Sequence, residues 1–151
     1  MTNKKNKLII LDAGAIINDP LFSFSKEFDY ILPSSVFSEL KDLISRLMAD
    51  NALKNKILSI KNPSQESVEK AKQCAKKLNT ELSGQDMDVL ALAIETNAKV
   101  ITDDYSLQNV LSSLKIPFKG IMHKEIKKHF VLKKKCPDCG TYLKNGNCRN
   151  C

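Results

Sequence analysis

The sequence predicts an α/β fold, a parallel sheet with helices on both faces, followed by a small cysteine-bearing appendage. Three observations predict it. Apolar runs of strand length alternate with longer stretches of helical periodicity across residues 1–118. Two of those runs stop at acids, one at Asp12 and one at the Asp103-Asp104 pair. Of the 5 cysteines, all but Cys74 fall between positions 136 and 151.

The elements follow in order. Residues 8–11, Leu-Ile-Ile-Leu, read as a buried strand running into a turn at Asp12-Ala13-Gly14. Residues 30–32 are a second strand, closed by Pro33-Ser34-Ser35. Val36, Leu40, Leu43, Ile44 and Leu47 then recur at helical spacing, which predicts one helix capped by Ser34 or Ser35. Residues 57–60 fit either a short strand or the end of that helical region. Pro63-Ser64 opens a polar helix to about residue 78. Ser83 precedes another to about residue 96, with Val89, Leu90, Ala93 and Ile94 on one stripe. Residues 100–102 form a strand, the next helix carries Val110, Leu111 and Leu114, and residues 116–118 are the last strand. Residues 119–135 read as a basic connector and residues 136–151 as a separate four-cysteine unit.

A chain of 151 residues with 42% hydrophobic and 27% charged residues supports one packed domain plus an appendage and excludes wholesale disorder. No apolar run approaches the ~20 residues of a membrane helix. The basic start (Lys4, Lys5, Lys7) leads into too short an apolar run for an export signal, so a cytoplasmic protein without a membrane partner is expected. The net charge of +7 is uneven: residues 1–114 sum to −1 and residues 115–151 to +8. A near-neutral body with a basic tail suits a polyanion, and the plain alternative is a solvated lysine-rich surface.

Cys136, Cys139, Cys148 and Cys151 are spaced C-x2-C-x8-C-x2-C. Two CxxC turns present two thiolates each, and together they build the tetrahedral sulfur cage that Zn2+ favours. Pro137 and Gly140 shape the first turn, and Asn145-Gly146 is a hairpin signal that folds the second back on it. With only Tyr142 and Leu143 to bury, this ribbon depends on its metal for folding energy. A redox thiol pair or an iron–sulfur site would use the same residues. Cys74, alone in a helical stretch, reads as a packing residue.

Chemistry is expected where the acids fall. Sites on open α/β sheets form outside the carboxyl ends of the strands. Asp12 and Asp103-Asp104 directly follow strands, and Glu39 and Asp86 lie near the starts of helices at the same edge. Asp86 continues the stripe of Val89, Leu90 and Ala93, whereas Asp88 faces elsewhere and reads as surface. Asp104 is the inner residue of its pair, with Asp103 beside it. Local roles compete with this reading: Asp86 completes a capping box with Ser83, Glu39 fits an ordinary helical acid, and Asp104 can cap the following helix. Asp12, ending a buried strand, has no expected capping role. Acids gathered this densely repel unless a hard divalent cation such as Mg2+ or Mn2+ neutralises them, and such a site can cleave a phosphodiester.

Leu11-Asp12-Ala13-Gly14-Ala15, Val36-Phe37-Ser38-Glu39-Leu40, Leu82-Ser83-Gly84-Gln85-Asp86 and Ile101-Thr102-Asp103-Asp104-Tyr105 come in the order of the PIN nuclease domain. With Ser106-Leu107-Gln108-Asn109-Val110-Leu111 and the cysteine ribbon, the chain resembles the Nob family in its short archaeal form. The resemblance implies a PIN-like sheet and an endoribonuclease that cuts the small-subunit rRNA precursor at its 3′ end. Asp12, Glu39, Asp86 and Asp104 match the acidic quartet, with Asp103 as an extra acid, and the four cysteines match the ribbon's zinc ligands. The implied partners are RNA, the pre-ribosomal subunit and assembly-factor proteins. His123 and His129 need not act as bases. The alternatives are a toxin-type PIN ribonuclease acting on tRNA or mRNA, which normally lacks the ribbon, and a non-catalytic RNA-binding assembly factor.

Overall fold

The alternation of short β-branched or leucine-rich runs with amphipathic segments folds into a sheet of five parallel strands in a computed structural model that describes residues 7–19 and 22–120. The first strand, β1 (Lys7–Leu11), lies at its centre. The others are β2 (Phe28–Leu32), β3 (Leu58–Ile60), β4 (Lys99–Ile101) and β5 (Phe118–Lys119), in the order β3-β2-β1-β4-β5. Ile9, Ile10, Leu11, Tyr30, Ile31, Leu32, Leu58 and Val100 are buried, as a sheet covered on both faces requires. The strands start earlier than the apolar runs suggest, at Lys7, Phe28 and Lys99, and the last is Phe118–Lys119 rather than 116–118. Of residues 57–60, which fitted either a strand or a helix end, Leu58–Ile60 form the strand β3.

The helices are α1 (Ala13–Ile17), α2 (Ser34–Glu39), α3 (Leu43–Lys54), α4 (Gln65–Lys77), α5 (Gly84–Thr96) and α6 (Tyr105–Ser113). Ser64 and Ser83 cap α4 and α5 through bonds to Ser67 N–H and Asp86 N–H. Five consecutive residues of α5, Val89 to Ala93, are buried, so this helix lies inside the domain. It touches β1 and β4 and also packs against α2, α4 and α6. Cys74 is half-buried against the core, as a packing residue should be.

One expected helix is two. The stretch carrying Val36, Leu40, Leu43, Ile44 and Leu47 breaks between Glu39 and Leu43. Asp42 starts α3 anew, its Oδ2 accepting from Ser45 N–H at 2.9 Å. That restart turns the second helix: Ser45, Ala49 and Ala52 face inward, while Leu43, Ile44 and Leu47 stand 73%, 72% and 57% exposed. The N-cap of α2 is Pro33, with no side-chain cap bond, rather than Ser34 or Ser35. The four-cysteine unit, the histidines and the connector beyond Gly120 lie outside the described residues.

Strand order decides where a site can form. From β1 to β2 to β3 the chain steps one way across the sheet, and from β3 to β4 to β5 it steps the other way. Right-handed crossovers therefore put the early helices on one face and the late helices on the other. Between β1 and β4 the connections diverge and leave a crevice at the carboxyl ends of the strands.

Candidate active site

Two turns build the crevice. At the end of β1, Asp12 leaves the sheet with its N–H donating to Ile101 C=O of β4, 3.2 Å away. Its Oδ1 accepts from Ala13 N–H at 2.7 Å, so Asp12 caps α1, and the expectation that it has no capping role is wrong. The sequence hides this because α1 is 5 residues long and carries no helical stripe of its own. At the end of β4, Thr102 is fully buried and its hydroxyl donates to Asp12 Oδ2 at 2.8 Å. The same Oγ1 accepts from Asp104 N–H at 3.1 Å. One buried hydroxyl therefore fixes both acids. Gln108 of α6, also fully buried, holds this turn in place, its Nε2 donating to Thr102 C=O at 2.8 Å.

Asp104 caps α6, its Oδ1 accepting from Ser106 N–H at 2.9 Å. It also serves the crevice, since its side chain is hydrogen-bonded to that of Asp86 in the first turn of α5. Asp86 keeps its bond to the cap as well: its N–H donates to Ser83 Oγ at 3.1 Å. Capping and crevice roles coexist in these residues.

Electrostatics link the acids. Burial pushes the Asp86 carboxyl up to about 7, helped by the hydrogen bond with Asp104 and by the charges of Asp12 and Asp104, with Ser83 opposing. Burial also raises Asp12; the Thr102 hydroxyl and the Ala13 amide counter it, and the charges of Asp104 and Glu39 add to the rise. Glu39, the exposed last residue of α2, thus reaches the site through its charge on Asp12. Asp103 is half-buried at the same edge but is not among the main influences on Asp12 or Asp86.

The main influences on these two acids are burial, hydroxyl and amide donors, and other carboxylates. No cation is among them. Among the described residues, no three His, Cys, Asp or Glu side chains converge as a ready cage. The donor set of hard oxygens nevertheless fits a divalent ion such as Mg2+ or Mn2+.

The structure also corrects the reading of Asp88. It is half-buried, and its Oδ2 accepts from Ser35 Oγ at 2.7 Å, tying α5 to α2, the helix that bears Glu39. Thr102, Gln108 and the Ser35–Asp88 pair are the supporting residues that sequence reasoning missed. A polar residue between a strand and an acid was the available signal for Thr102. Nothing local marked Ser35 and Asp88, which are 53 positions apart.

The family described as the PIN domain of ribonuclease matches residues 9–96. Nucleases with this domain generally use divalent metals such as Mg2+ or Mn2+. The chain is 35% identical over 135 residues to endoribonuclease Nob1 of Methanocaldococcus jannaschii, covering 88% of this chain and 66% of that protein. It is 30% identical over 149 residues to endoribonuclease Nob1 of Pyrococcus abyssi, covering 95% and 92%. Ribonuclease VapC1 of Thermoplasma acidophilum is 35% identical over 134 residues, covering 87% and 67%. The chain thus spans about two thirds of the Methanocaldococcus and Thermoplasma proteins. On the matched region, the parallel sheet and the acids at its carboxyl edge, this chain belongs to the PIN domain family of ribonucleases.

Proposed function

We propose that this protein is a divalent-metal-dependent endoribonuclease that trims the small-subunit rRNA precursor at its 3′ end during ribosome assembly. One observation supports the nuclease reading: at the carboxyl edge of β1 and β4, burial and the charges of neighbouring carboxylates, Asp104 among them, raise both Asp12 and Asp86. The rRNA substrate rests on the likeness to the Nob1 endoribonucleases, above all the relative matched over 92% of its length.

Asp12, Asp86 and Asp104, with Glu39 from α2 and Asp103 alongside, would hold Mg2+ or Mn2+. When bound, the ion supplies the positive charge that polarises a phosphoryl oxygen and a water. The chain's own residues set the geometry. Thr102 fixes the orientation of Asp12 and the backbone entering Asp104, and Gln108 fixes Thr102. Cys136, Cys139, Cys148 and Cys151 would hold a structural Zn2+, supported by their paired CxxC spacing, and the lysines of the connector would contact RNA.

The test is incubation of the full chain and of Asp12→Asn with Mn2+ and an RNA spanning the mature 3′ end of small-subunit rRNA. A single cut by the native chain, absent in the variant, supports the reading. Cutting by both at equal rate overturns the site. The likeness to ribonuclease VapC1 favours a second reading, a ribonuclease acting on tRNA or mRNA, which this RNA would register as cuts at many places.

A further inference from the structure

Among the described residues, the face of the sheet that carries Ile9, Tyr30 and Ile101 is only partly covered. The early helices lie on it: the segment after α1 packs Phe22 and Phe24 edge-on against the Tyr30 ring, at 6.4 and 5.1 Å between centroids. α1 itself has 5 residues, about 8 Å of helix, too short to run back along β1. The helix between β4 and β5 is on the opposite face. A groove of about 690 Å³ remains over the starts of β1 and β2 and across β4 and β5.

Its floor is apolar, formed by Ile9, Tyr30, Ile101 and the half-buried Phe28. Its charge comes from Lys7, Lys99 and Lys119, all exposed. Strand register explains why all three share this face. Ile9 pairs with Lys99 and Ile101 pairs with Lys119, so Lys7, Lys99 and Lys119 step two residues per strand across β1, β4 and β5. Two residues along and one strand across is about 8 Å, which makes a diagonal row of ammonium groups over the floor. Among the described residues, none of the three has a carboxylate within ion-pair distance.

We propose that this groove is a second RNA-binding surface, in which the lysine row follows the phosphates of a single strand and a base stacks on Phe28. A basic track beside an aromatic floor is how proteins hold single strands without reading their sequence. The row begins at Lys7, five residues before Asp12 along β1 and about 17 Å from it. It ends at Lys119, whose C=O accepts from Thr102 N–H at 3.0 Å, so the groove leads from the far edge of the sheet up to the acidic crevice. The arrangement has a use: the acids repel phosphates at the cutting edge, and the lysines retain the strand behind it. This surface rests on the RNA-cleaving reading for its ligand, but its test does not depend on cleavage.

The experiment uses the full chain carrying Asp12→Asn and a labelled oligouridine. Binding is compared with the same chain carrying Lys7→Ala, Lys99→Ala and Lys119→Ala, exposed substitutions whose fold is checked by melting. The triple variant should bind about tenfold more weakly, with the slope of log affinity against log salt shallower by about 2. In the parent, RNA should shield Lys7, Lys99 and Lys119 from acetylation, read by mass spectrometry. Phe28→Leu, which keeps the packing, should weaken binding without changing the salt slope. Three outcomes overturn the groove: unchanged affinity and slope in the triple variant, lysines already shielded in the free chain, or equal shielding by polyglutamate. Cleavage surviving Asp12→Asn would instead count against the acidic site and leave the footprint to be read on its own.

Discussion

Helices α3 and α5 begin with the same two residue types in opposite order. In α3 the cap is Asp42 and Ser45 stands three residues on; in α5 the cap is Ser83 and Asp86 stands three residues on. The amide and hydroxyl of Ser45 hold the exposed Asp42 below the usual carboxylate value. Burial, Asp104 and Asp12 push Asp86 up to about 7. Both acids serve their own helix, but strand order gives only one of them other acids to face. A helix start makes a cap; topology makes a candidate site.

The largest effect should separate these two residues. Asp86→Asn should lower metal-dependent RNA cleavage by about 10²–10³-fold, the scale of losing one group that manages charge at the reacting centre. Asp42→Ala should leave the cleavage rate unchanged and lower the melting temperature, since α3 loses its cap. Single-turnover cleavage and thermal melting of both variants check this. Equal loss of cleavage in the two would erase the distinction.

Acidity should sharpen the same contrast. In the folded chain Asp86 keeps its proton up to about pH 7, whereas in the unfolded chain it does so only below its ordinary value of 3.8. Between those limits the folded state binds more protons, so stability rises as pH falls, provided no divalent ion is added. Asp42 has the opposite sign. Its lowered value means that its contribution is complete above 3.8 and is lost as pH falls through the folded value. Melting temperature without Mg2+ or Mn2+ should therefore climb on acidification from neutral pH and fall again below pH 3.8. Added Mn2+ should stabilise most at the alkaline end, and Asp86→Asn should flatten the climb.

A smaller effect is expected at Thr102, which bridges the two halves of the crevice. Thr102→Val keeps the shape but removes the donor to Asp12 and the acceptor for Asp104 N–H. Cleavage should drop about tenfold, as for loss of an orienting partner behind a metal ligand. Asp12 loses a bond that lowers its proton affinity, so the acid limb of the pH–rate profile should move to higher pH. Thr102→Ser keeps the hydroxyl and should restore both. An unshifted profile in Thr102→Val would mean that the hydroxyl only packs.

What the sequence made legible follows from how local each signal is. The strands around Leu8, Ile31 and Val100 and the caps at Ser64 and Ser83 are written in neighbouring residues, and the structure has them with shifts of a few positions. Asp12, Asp86 and Asp104 could be picked out as candidates because each follows a strand or opens a helix at one edge of an alternating fold. Glu39, by contrast, expected near a helix start, is the last residue of α2. The capping role of Asp12 was not legible, because a helix of 5 residues leaves no periodicity. Nor was the Ser35–Asp88 bond, which exists only once α2 and α5 are packed together. The break at Asp42 was readable in principle: Asp-Leu-Ile-Ser is a cap signal, but the apolar spacing across it masked the restart.

That restart yields the smallest effect. An apolar period identifies a helix without fixing which side is buried, and in α3 the cap has rotated the leucines outward. Leu47→Gln should therefore change stability to urea by no more than about 0.5 kcal/mol, the range of ordinary surface substitutions. Its exposure of 57% is the reason, together with Ser45, Ala49 and Ala52 filling the inward positions. A buried leucine would cost about 2–5 kcal/mol on truncation to alanine. Should Leu47→Gln approach that cost, the outward face of α3 must be covered in solution, and the contrast with the enclosed α5 would shrink to one of occupancy.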